Sequence, residues 1–138
     1  MNAGDRQAVE DFLFLEARCL DDARRWEEWL GLYAGDATYW IPYDREQADP
    51  IHQASIIYED KPLLDARIRK LKHPRSWSQQ PPGRTARVVG NVTLDGGDRA
   101  AGELLVHSTF HVLEFRRDAW QPYGGHYTHR LVREGAGL

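Results

Sequence analysis

From the N-terminus, apolar residues recur at the spacing of a helix. Val9, Phe12, Leu13, Ala17 and Leu20 fall on one side with Glu16 among them, and Asp5 is placed to cap the start. Asp21-Asp22 interrupts that run and opens a second predicted helix over residues 23–33. There Trp26, Trp29, Leu30 and Tyr33 repeat at spacings of three and four, until Gly35 and Asp36 stop the pattern. Residues 37–41 are aromatic and β-prone, Pro42 ends that strand, and residues 43–53 follow as a polar loop. A third helix is predicted over Lys61–Lys72, with Asp60 as cap, Pro62 in the first turn and Leu64, Ile68 and Leu71 as its stripe. His73-Pro74 stops it, and residues 75–84 read as a Pro-rich loop. The remainder reads as strands over residues 88–94, 104–115 and 120–132, the last weakened at Gly124-Gly125. Turns are expected at residues 95–98 and 116–119. Helices first and strands later predict an α+β arrangement, an antiparallel sheet with helices on one face.

Composition adds little beyond one soluble globular domain covering residues 1–138, at 41% hydrophobic and 28% charged residues. A net charge of -3 offers no electrostatic footprint for nucleic acid or an anionic membrane. The single cysteine, Cys19, excludes an internal disulfide and a cysteine cluster, and its helical setting predicts a small buried side chain. The first eleven residues are polar and acidic, unlike a secretory leader, and no apolar run reaches the length of a membrane span. The expected location is the cytoplasm.

Six histidines invite a search for chemistry. His107 and His111 lie four apart and would share a strand face, whereas His126 and His129 would point to opposite faces. A mononuclear iron site needs two histidines and a carboxylate that converge, and no pattern here places three such groups together. Surface or interface histidines are the plainer expectation. An acid–base pocket could be assembled from Asp36, Asp60, His52 and His107, although Asp36 also suits a turn and Asp60 a helix cap. Nucleophile-elbow, phosphate-loop and dinucleotide fingerprints are absent. Trp26 and Trp29 fit a core, while Trp77 and Trp120, beside turn segments, are expected to cover an interface.

Several stretches together resemble a known family. They are Glu16-Ala17-Arg18 with Leu20-Asp21, WLGLY at residues 29–33, DATYWIP at 36–42, Asp49-Pro50, SIIYED at 55–60 with Leu63-Leu64 and Arg67, and RTARVVGN at 84–91. In order and spacing the chain resembles the β (small) subunit of aromatic-ring-hydroxylating dioxygenases, the Rieske-type oxygenases. The resemblance implies an NTF2-like cone, a curved antiparallel sheet with three helices packed on one face. It also implies no cofactor in this chain. A separate α subunit would carry the Rieske [2Fe-2S] cluster and mononuclear iron, with β trimers inside an α3β3 assembly. The family continues into a last strand that closes the sheet, and this sequence stops where the turn into that strand would lie, so an unpaired edge is expected. Trp40, Tyr43, Asp44, Arg45, Trp77 and Arg84 are the expected subunit contacts. The alternative is a stand-alone dehydratase or isomerase of the same fold, using Asp36, His52 and His107, or a small-ligand-binding protein.

Overall fold

The computed structural model describes residues 3–42, 55–72, 84–96 and 102–132. In chain order these form α1 (Ala3–Leu20), a 3-10 turn (Ala23–Arg25), α2 (Trp26–Gly31), β1 (Thr38–Pro42), β2 (Ser55–Asp60), α3 (Lys61–Lys72), β3 (Arg84–Leu94), β4 (Glu103–Arg116) and β5 (Ala119–Val132). The strands make two antiparallel sheets, β1-β2 and β3-β4-β5. The chain groups into two compact units, Met1–Asp22 with Gln80–Leu138, and Ala23–Gln79.

In the first unit the predicted stripe of α1 is the buried one. Val9 and Leu13 are almost fully covered and pack with Leu104 and Val106 of β4 and Leu131 of β5, with Phe12, Val89, Val92 and Leu94 around them. Each such leucine contributes roughly 1.5–3 kcal/mol by leaving water. Cys19 is buried too, as its position predicts. Along β4 the buried residues Leu104, Val106 and Ser108 alternate with half-exposed ones, so one face of this sheet is committed to α1.

Local backbone chemistry sets the register. β3 slips against β4 between Gly90 and Thr93. Asn91 there takes a φ of 51°, a left-handed conformation that asparagine tolerates, and its side-chain amide donates to Thr109 Oγ1 at 2.8 Å. β4 and β5 pair without a break, joined by Arg117 and Asp118 at φ 54° and 61°, as a tight hairpin turn requires.

The expected weakness at Gly124-Gly125 does not interrupt β5. The Phe110 ring covers Gly125, where a Cβ would meet Phe110 Cζ at 3.0 Å, and the same ring stacks on Tyr127 at 4.1 Å. A cross-strand aromatic thus replaces the packing the glycine lacks.

The second unit departs from the pattern in two places. The predicted helix over residues 23–33 is shorter, with a 3-10 turn before it and i→i−3 bonds after it: Leu32 N–H to the Trp29 carbonyl and Tyr33 N–H to the Leu30 carbonyl. Gly31 gives the last turn little reason to stay α-helical. Alternation also fails to mark residues 55–60 as a strand, yet β2 pairs with β1 from Thr38–Asp60 to Pro42–Ser55. The predicted bounds of α3 hold. Asp60 caps it, accepting the Leu63 N–H at 3.1 Å, Leu64 and Ile68 are buried, and Lys61 Nζ donates to the Tyr33 carbonyl at 2.8 Å. Trp29 is buried, edge-on to Tyr33 at 5.1 Å and to Tyr39 at 6.1 Å.

Gly125→Ala is expected to cost about 1–3 kcal/mol by forcing the Phe110 ring aside. Chemical denaturation of the single and double variants checks this, and the cost should shrink in a Phe110→Leu background.

Candidate functional site

The face of β3-β4-β5 that α1 covers carries a polar row beside its apolar cluster. Glu16, one turn beyond Leu13, is buried, and its Oε1 lies 2.8 Å from His129 Nε2 on β5. Just past the end of α1, Asp21 accepts from Thr85 Oγ1 at 2.8 Å, the Arg87 amide at 3.0 Å and Arg87 Nε at 2.7 Å. Arg87 Nη1 reaches the Tyr127 hydroxyl at 3.5 Å, and the Tyr127 ring meets His129 edge-on at 5.2 Å. Two buried atoms on this face, Ser108 Oγ and His129 Nδ1, have no hydrogen-bond partner.

These contacts satisfy most of the polar groups that α1 brings to the sheet, and they hold the helix in register against β3 and β5. A carboxylate–imidazole pair could also pass a proton. The Glu16 and His129 side chains are only 10% and 16% exposed, which favours the structural role.

The opposite face of the same sheet is polar along its histidines and apolar at one end, and no described element packs over that end. Strand pairing sets Arg84 beside Phe115, Ala86 beside Leu113 and Val88 beside His111, with Trp120 and Pro122 of β5 next to Phe115 and Leu113. Val88 is 74% exposed, Trp120 66% and Leu113 49%. The Arg84 guanidinium lies 5.6 Å from the Phe115 ring centre, and Trp120 lies 5.0 Å from it on the other side. A contiguous patch of this kind, arginine and aromatics around aliphatic side chains, has the composition of a protein interface.

The expected site residues are scattered. Arg84 opens β3 and belongs to the exposed patch. Trp40 is half-buried on β1 opposite Tyr58. Tyr43, Asp44, Arg45, His52 and Trp77 lie outside the described residues. Asp36 is exposed in the turn before β1, and Asp60 serves as the cap of α3. His107 shares the outer face with His111, as their spacing predicts, and lies 3.2 Å from both Asp95 Oδ2 and Thr128 Oγ1. His126 is exposed and His129 half-buried, the opposed pair that was expected. Among the described residues no three histidine, cysteine or acidic side chains are grouped to hold a metal ion.

The pattern reading missed the Glu16–His129 pair and the outer-face set of Val88 and Leu113. A glutamate inside the apolar stripe of α1 was the available signal for the first.

The family model described as the ring hydroxylating beta subunit matches residues 15–138. The toluate 1,2-dioxygenase subunit beta of Pseudomonas putida is 38% identical over 115 residues, covering 80% of this chain and 69% of that one. A solved structure of the beta subunit of a benzoate 1,2-dioxygenase from Burkholderia mallei superposes with a TM-score of 0.77 at 28% identity, over 99% of this chain and 84% of that one. A putative scytalone dehydratase from Novosphingobium aromaticivorans has a TM-score of 0.65 at 16% identity, over 96% and 76% of the two chains, and shares the fold alone. These likenesses agree with the α+β, NTF2-like class expected from the sequence. The chain spans 61% to 80% of the length of the curated relatives it matches.

Glu16→Ala is expected to cost about 1.5–3 kcal/mol, because it strips a buried imidazole of its partner. Glu16→Gln, which keeps a hydrogen-bonding group there, should cost less. Thermal unfolding of the two variants distinguishes them.

Proposed function

Because the chain belongs to the ring-hydroxylating beta-subunit family, we propose that it is the small, structural subunit of a terminal oxygenase in aromatic-compound degradation. In this reading it supports a separate catalytic α subunit. That α subunit carries the Rieske [2Fe-2S] cluster and the mononuclear iron, and the electron relay and ring dihydroxylation take place there. The observation that carries the reading is the exposed apolar patch at one end of the outer face of β3-β4-β5, where Val88, Leu113 and Trp120 stand in water next to Arg84. A chain that worked alone would leave that area exposed at a cost in solubility, whereas a permanent subunit buries it.

Further parts of the reading follow the family resemblance. The two compact units act as one domain, since the family match runs through both. Copies of the chain associate as a trimer within α3β3, in the cytoplasm. No helix among the described residues is long and apolar enough to cross a membrane. Trp40, Tyr43, Asp44, Arg45, Trp77 and Arg84 contribute subunit contacts, with Trp120, Val88 and Leu113 added from the exposed face.

Co-expression with a ring-hydroxylating dioxygenase α subunit, followed by mass determination in solution, tests the assembly. Equal numbers of the two chains in a stable particle are expected. A chain that stays alone would overturn the reading. Trp120→Ala combined with Val88→Ala should weaken the particle roughly tenfold or more, as loss of interface anchors does. The isolated double variant should unfold within about 1 kcal/mol of the parent, because both side chains are largely solvent-exposed.

A further inference from the structure

We infer that His111 and His126, on adjacent strands of the outer sheet face, form a binding site for a divalent transition-metal ion such as Zn²⁺ or Ni²⁺. The inference is independent of the subunit reading and uses only side chains of this chain.

Strand pairing brings the two imidazoles to one face. His111 of β4 stands opposite Gly124 of β5, and His126 of β5 stands opposite Thr109 of β4, in a register that runs without a break. Residues two apart on a strand share a face, so all four positions belong to the outer face. Both histidines are exposed.

Gly124 removes the side chain that would otherwise stand between them. The His111 ring leans onto β5, where its Cδ2 lies 3.3 Å and its Nε2 3.9 Å from the position a Cβ at Gly124 would take. The imidazole thus fills the side-chain place of Gly124, and the next place along that row is His126. Same-face positions on one strand are roughly 6.5–7 Å apart. The row therefore presents two imidazoles as a His-x-His pair on a single strand would. Nitrogens held roughly 2.0–2.1 Å from a shared zinc ion stand about 3–3.5 Å apart, a gap that two such rings close by leaning toward each other.

Neighbouring groups do not compete for the pair. Thr109 Oγ1 accepts from Asn91 Nδ2 at 2.8 Å and donates to the Gly90 carbonyl at 3.4 Å, so its hydroxyl is turned toward β3 and away from His126. The remaining histidine of this face, His107, is engaged at both nitrogens, by Asp95 and Thr128 at 3.2 Å each. Val88, Gly90, Leu113, Pro122 and Thr128 hold the other adjoining outer positions, so no lysine or arginine there repels a cation.

Ligand chemistry selects the ion. Neutral imidazole suits zinc, copper and nickel, whereas calcium and magnesium require oxygen donors. Among the described residues no third histidine, cysteine or acidic side chain completes the group. The remaining coordination positions fall to water or to a donor from another molecule, an arrangement distinct from the two-histidine, one-carboxylate iron site.

Titration of the full chain with Zn²⁺ or Ni²⁺ alone, followed through the histidine ring signals in NMR spectra, tests the site. The ring signals of His111 and His126 are expected to shift together at one metal concentration. His111→Gln and His126→Gln each remove one imidazole and keep a polar side chain, and the affinity is then read at the histidine that remains. Loss of an outer-shell partner already costs a metal site about 10–100-fold, so loss of a ligand should weaken binding about tenfold or more. His107→Gln should bind as the parent does. Thermal unfolding without metal should be alike in all four chains, because the substituted rings lie on the outer face. Ring signals that stay unmoved, that move at separate concentrations, or that report unchanged affinity in the single variants overturn the site. An equal loss in His107→Gln overturns its assignment to this pair.

Discussion

The packing of α1 on one face of β3-β4-β5 governs most of what can be said about this chain. Val9 and Leu13 need an apolar surface, and Leu104, Val106 and Leu131 provide it. Once that face is committed, strand alternation decides exposure along β3, most of β4 and the second half of β5. Ser108 and His129 turn inward with the core, while Val88, Leu113 and Trp120 are left outside. The buried polar contacts follow from the same event. Glu16 lies in the helix stripe and must find a partner under the helix, and Asp21, at its end, gathers Thr85 and Arg87. One packed helix therefore defines a closed face that holds the unit together and an open face that suits association.

That arrangement weighs structural support against catalysis. The ionisable groups that come together are buried and already engaged with one another, as Asp21 is with Arg87 and Glu16 with His129. The groups proposed for acid–base work in the alternative reading have plainer roles where they are described: Asp36 sits exposed in a turn and His107 lies against Asp95 and Thr128 on the outer face. Val88, Leu113 and Trp120, by contrast, are exposed side by side on one sheet face, a grouping that suits a surface another protein covers.

Much of the fold was legible in the sequence wherever a local signal sufficed. The stripe of α1, the Asp60 cap with the bounds of α3, the hairpin turn at Arg117-Asp118 and the burial of Cys19 are each set by a few adjacent residues. Three features depended on distant partners and were not legible. β2 is a strand because β1 lies beside it. The glycine pair in β5 is tolerated because Phe110 covers it from β4. Glu16 and His129, 113 residues apart, meet only through the packing of helix on sheet. The candidate site was legible in part. Arg84 and Trp120 were readable as aromatic and arginine positions near turns, but Val88 and Leu113 look like core residues until the sheet shows which face is covered.

The proposed structural role requires this chain for assembly of the oxygenase and not for its chemistry. The most direct test is turnover of aromatic compounds by the heteromer carrying Asp36→Asn, His52→Gln and His107→Gln together. Turnover within about twofold of the parent heteromer, and lost when the chain is omitted, is the result expected of a structural subunit. A fall of about a hundredfold or more with the particle intact, the size of effect that follows removal of a general acid or base, would contradict it.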